Sequence, residues 1–98
     1  MLCTYRPVKG RERALLRLLR RHWPALRRAG LATARPARLW RARGKRGGVW
    51  FCEIFQWRDR RASDEAHRSP EVLAVWGPME GVLQDLELAV IEPVRRGS

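Results

Sequence analysis

Ninety-eight residues make one domain, spanning 1–98, with a single core and little surplus, so self-association is expected to add stability. No apolar run reaches membrane-span length and the N-terminus lacks a signal-peptide pattern. Cys3 and Cys52 are too few for a disulfide framework, which fits a reducing cytoplasm, and both read as small buried hydrophobes.

The formal charge of +11 is uneven. Residues 1–48 carry 15 Lys+Arg against Glu12 alone, a net +14; residues 49–98 carry 6 against 9 acids, a net −3. Polyanion binding is one reading of that excess. An arginine-biased composition on solvated faces is the stronger one, because the aromatics cluster in apolar strands and do not interleave with the arginines. Nucleic acid is therefore not the expected partner.

Met1 to Arg6 forms a first strand, ended by Pro7 and Gly10. From Arg11 to Ala29, Leu15, Leu16, Leu18, Leu19, Trp23 and Leu26 recur at three- and four-residue spacings, with arginines on the outer arc. This spacing predicts an amphipathic helix. Pro24 should kink or restart it, and Gly30 should cap it. Thr33–Pro36 is a turn or extended linker, and Arg38–Arg43 an arginine-studded edge strand. Gly44–Gly48 then makes a hairpin loop into the strongest stretch of the chain, Gly48–Trp57.

That stretch is rich in aromatic and β-branched residues and reads as a central strand. Val49, Phe51, Glu53, Phe55 and Trp57 share one face; Trp50, Cys52, Ile54 and Gln56 share the other. Arg58–Arg68 reads as a charged helix. Ser69 is placed as an N-cap and Pro70 as the first residue of another, which should break at Gly77-Pro78. Leu86–Val94 closes the chain as a strand. The order β-α-β-β-α-β is ferredoxin-like, with an antiparallel sheet covered on one face by helices. The bare, apolar face predicts a homodimer.

Glu53-Ile54-Phe55-Gln56-Trp57, Ala66-His67-Arg68-Ser69-Pro70-Glu71-Val72 and Val75-Trp76 resemble the antibiotic biosynthesis monooxygenase type of dimeric α/β-barrel proteins. Tyr5-Arg6-Pro7 and His22-Trp23-Pro24 are similar to one branch of that superfamily. The likeness covers essentially the whole chain. It implies a ferredoxin-like homodimer and, among the activities of the superfamily, cofactor-free oxidation of phenol- or quinol-like substrates. Its haem-degrading members place a tryptophan before the histidine ligand. Here His67 precedes Trp76, so haem is not expected, and no cofactor is.

His67 stands where the superfamily commonly has a histidine and is the candidate proton acceptor. The alternative is a histidine that bonds a backbone carbonyl and fixes the break before Pro70. Glu53 is the candidate base or the orienter of His67; alternatively it pairs with Arg6 or Arg41. Phe51, Phe55, Trp57 and Trp76 either line a pocket for a flat aromatic ligand or form the dimer core. His22 reads as a boundary residue, and spacing gives no metal motif. The rival to an enzyme is a non-catalytic dimeric ligand-binding or accessory module with a filled interior beside His67.

Overall fold

In a computed structural model describing residues 1–95, β1 (Leu2–Pro7), α1 (Glu12–Arg28), β2 (Arg38–Arg43), β3 (Val49–Ile54), α2 (Ala62–Ala66), α3 (Pro70–Met79) and β4 (Leu83–Ala89) follow one another. The last three positions of the expected domain lie outside the described residues. The strands form one antiparallel sheet in the order β2-β3-β1-β4. This is the ferredoxin-like arrangement, with its second helical region divided in two.

Residues directly opposite in an antiparallel pair share a face. The register Cys3↔Glu53, Tyr5↔Phe51, Cys3↔Leu88 and Tyr5↔Leu86 therefore puts these six on the helix-covered side. Leu2, Thr4, Trp40, Trp50, Cys52 and Ile54 share the bare side. Its centre is apolar as expected, but cations lie over it. The Arg6 guanidinium sits 4.7 Å above Trp50 and that of Arg38 5.1 Å above Trp40.

Helix α1 buries Leu15, Leu19, Ala25 and Leu26 and turns Arg13, Arg17, Arg20 and Arg21 outward. Gly30, at φ 73, ends it through its N–H to the Arg27 carbonyl, and Leu31 N–H reaches the Leu26 carbonyl. The expected break at Pro24 does not occur. Proline forfeits one helical hydrogen bond, but Ala25 and Leu26 anchor the last turn in the core.

The charged helix expected over Arg58–Arg68 shrinks to five residues. The cause is Asp59, whose Oδ1 accepts the N–H groups of Arg61 and Ala62 and so caps a turn where the helix should have begun. Ser69 caps α3 by accepting from Val72 N–H, with Pro70 at the first position, as expected. That helix runs through Gly77-Pro78, because a proline in the last turn removes little and Val75 and Met79 are buried on either side. Strand β3 ends at Ile54 rather than Trp57, and Trp57 makes only an isolated bridge to Ala32. Strand β4 begins three residues earlier than expected and ends at Ala89.

Candidate functional site

A carboxylate among aromatic residues in the middle of a sheet needs donors, and Glu53 finds two. It is 1% exposed. Its Oε1 accepts the Tyr5 hydroxyl at 2.8 Å and faces His22 Nδ1 at 2.8 Å. The indole Nε1–H of Trp76 donates to His22 Nε2 at 2.9 Å. An imidazole nitrogen that accepts a hydrogen bond carries no proton, so His22 holds its proton on Nδ1 and gives it to Glu53. The chain Trp76–His22–Glu53–Tyr5 thus joins α3, α1, β3 and β1.

These contacts correct two expectations. Glu53 is paired neither with Arg6, which lies on the opposite face, nor with Arg41, whose guanidinium packs 5.8 Å from the Phe51 ring. Nor does it hold His67, whose Nδ1 donates instead to the Ser63 carbonyl at 2.9 Å. His22 is not a boundary residue: it is 3% exposed. Its position was legible, because it lies three residues after Leu19 and four before Leu26, on the apolar stripe of α1.

In front of this chain lies a cavity of about 270 Å³, between the β1–β4 side of the sheet and the helices α2 and α3. Most of its wall is apolar, including Cys3, Phe55, Trp57, Met79, Leu83, Leu86 and Leu88, and its polar lining includes Tyr5, His22, Ser63, His67 and Trp76. His67, Trp76, Phe55 and Trp57 are thus brought together. Phe51 and Glu53 lie behind the wall, in the packed core. The aromatic rings interlock edge to face: His67 on Trp76 at 5.0 Å, His22 on Phe55 at 5.6 Å, and Phe55 on Trp57 at 4.9 Å. Trp57 Nε1 is buried without a hydrogen-bond partner among the described residues. A larger hollow of about 590 Å³, lined by residues such as Arg35, Arg38, Ile54 and Ile91, has no histidine or tyrosine on its wall.

Burial, reinforced by the Glu53 carboxylate, holds the Tyr5 phenol far above its ordinary range, so Tyr5 stays a donor. Burial likewise pushes the Cys3 thiol up to about 11, which makes it a poor nucleophile. Outside the cavity, hydrogen bonds from Arg58 hold Asp59 below the usual carboxylate range. Among the described residues, no group of three or more His, Cys, Asp or Glu is placed to hold a metal ion, and no helix is long and apolar enough to cross a membrane.

No protein-family model matches the chain, and no curated protein sequence does. Solved structures do. Protein PA3566 from Pseudomonas aeruginosa is 21% identical, covers 96% of this chain and 91% of its own, and superposes with a TM-score of 0.71. A protein solved as an antibiotic biosynthesis monooxygenase is 18% identical, with 96% of each chain covered and a TM-score of 0.70. Rv0793 from Mycobacterium tuberculosis is 23% identical, covers 99% of this chain and 95% of its own, and gives a TM-score of 0.66. At these identities the likeness speaks for the fold alone. The chain has the ferredoxin-like fold of the antibiotic biosynthesis monooxygenase type, as its motifs led us to expect.

Proposed function

We propose that the cavity binds a small phenol- or quinol-like aromatic and that the protein oxidises it with dioxygen, without a cofactor. The observation that supports this most directly is the state of His67. A carbonyl can only accept, so His67 Nδ1 carries the proton donated to the Ser63 carbonyl, and in the neutral ring Nε2 then holds the lone pair. The ring lies on the wall of a largely apolar cavity, packed on Trp76. That is a base beside a site for a flat ligand. It also counts against a module with a filled interior.

In this reading Phe55, Trp57 and Trp76 sandwich the ring and His67 Nε2 takes the hydroxyl proton. The phenolate passes one electron to dioxygen, and superoxide recombines with the resulting radical at a ring carbon. The peroxide so formed recovers the proton from His67. Loss of water, which carries away the proton on that carbon, leaves a carbonyl. One oxygen atom enters the product and the other leaves as water. The name of the monooxygenase that shares the fold is in keeping with such chemistry.

The active unit would be a homodimer. Trp40 is 45% exposed on a bare sheet face that also carries Trp50, Cys52 and Ile54, and a second copy would cover it. A cytoplasmic location suits two cysteines that remain free on opposite faces of neighbouring strands.

The test is oxygen uptake and quinone formation with 1-naphthol. Changing His67→Ala should lower the rate by about a hundredfold or more, the usual contribution of a general base. Full uptake by that variant would overturn the assignment of His67. Binding of 1-naphthol without uptake by the unmodified protein would favour the non-catalytic ligand-binding module instead.

A further inference from the structure

Glu53 and His22 are a buried carboxylate and a buried imidazole, and the reaction just outlined uses neither. An apolar pair of similar volume would fill the same space without burying a carboxylate, so burial alone gives no reason for them. Their arrangement gives one. We propose that Glu53 and His22 are positioning residues: they lock the Trp76 indole, and so set the wall on which the His67 ring rests. The inference rests on the cavity reading above and deepens it.

The geometry is directional. Glu53 Oε1 accepts from both Tyr5 and His22, and that fixes the carboxylate between β1 and α1. With its Nδ1 proton committed to Glu53, His22 presents a bare Nε2 at one place, and the Trp76 N–H occupies it. Donation runs along the chain toward the carboxylate, so each bond polarises the next. Trp76 is only partly buried and belongs to a helix with Gly77 and Pro78 in its last turn. Packing alone fixes such a ring loosely, and the bond to His22 removes its freedom to turn. His67 meets that ring in an edge-to-face contact at 5.0 Å and 67°. Glu53 therefore acts on the cavity through two intermediates while remaining outside its wall.

Two substitutions at one position separate positioning from mere filling. The carboxamide in His22→Gln can donate to Glu53 and accept from Trp76, so the chain survives without the imidazole. His22→Leu removes both bonds and keeps an apolar filler. The readouts are the Trp76 indole N–H resonance, with its hydrogen exchange, and 1-naphthol affinity by calorimetry. In the unmodified protein and His22→Gln the resonance should be shifted downfield and exchange slowly, with affinities within about threefold of each other. In His22→Leu the shift should vanish and affinity should fall about tenfold, the worth of one hydrogen bond.

Trp76→Phe keeps a smaller aromatic ring and deletes the N–H, and should lose at least as much affinity even if His22→Leu fails to fold. A folded His22→Leu or a Trp76→Phe that binds like the unmodified protein would overturn the proposal. So would a Trp76 N–H that exchanges as fast as that of exposed Trp40 in the unmodified protein. If the unmodified protein does not bind 1-naphthol, the cavity reading fails, and the resonance pattern alone then decides the positioning claim.

Discussion

The two halves of the helix-covered sheet face are built alike and filled differently. Under α1 the chain supplies Leu15, Leu19 and Leu26 against Phe51, and the space is closed. Under α2 and α3 the core residues Ala62, Ala66, Val72 and Val75 are buried too, but Ser63, His67, Trp76 and Met79 stand around a cavity of about 270 Å³ before Leu86 and Leu88 of the edge strand. Those two leucines point to the covered side yet are 44% and 58% exposed. The difference lies at the edge strand, where Leu86 and Leu88 are left open and the gap before them is the site. The hydrogen-bonded chain from Tyr5 to Trp76 runs along the boundary between the two halves.

The comparison can be broken first on its solid side. Leu19→Ala should cost about 3 kcal/mol in urea unfolding, since a fully packed leucine leaves a void that its neighbours cannot fill. A cost near zero would mean that the α1 side is as loose as the other. Raising the pH should weaken the same region. The Cys3 thiol, at 9.0 when unfolded and about 11 when folded, and the Tyr5 phenol both keep protons that the unfolded chain releases. The Cys3 contribution is intact below about pH 9 and is lost as the pH climbs through about 11, up to about 3 kcal/mol, while the Tyr5 loss begins near pH 10.0 and continues above that window. Cys3→Ala should flatten that decline.

On the bare face, Trp40→Glu should convert the proposed dimer to monomers in sedimentation equilibrium, because it places a carboxylate on the apolar face that a second copy would cover. Thiol labelling gives a finer reading. Cys52 should react at neutral pH at a rate that slows as protein concentration rises, while Cys3, 2% exposed, should not react in the folded chain. The smallest stability effect belongs on the hollow side. Leu86→Trp, at a half-exposed site, should shift stability by no more than about 0.5 kcal/mol yet abolish ligand binding.

Much of this was legible in the residues. Alternation in Val49–Trp57 placed Phe51 and Glu53 on one face, the leucine spacing of α1 marked its buried stripe, and Ser69-Pro70 marked the start of α3. Pro78 misled because a local rule about proline was outweighed by buried neighbours on the same turn, and α1 likewise continues through Pro24 without restarting. His22 was readable and was masked by the arginines beside it. The partnership of Tyr5 with Glu53 was not readable. It depends on the β1–β3 register, and residues 48 apart in the chain give no local sign of it.

The most direct test of the claim that the hollow half is a binding site is a calorimetric titration of 1-naphthol into the unmodified protein and Leu86→Trp at several temperatures. The account predicts one molecule per chain with a negative heat-capacity change, from burial of apolar surface, and no binding by the variant. Equal binding by both proteins, or none by the unmodified one, would contradict it.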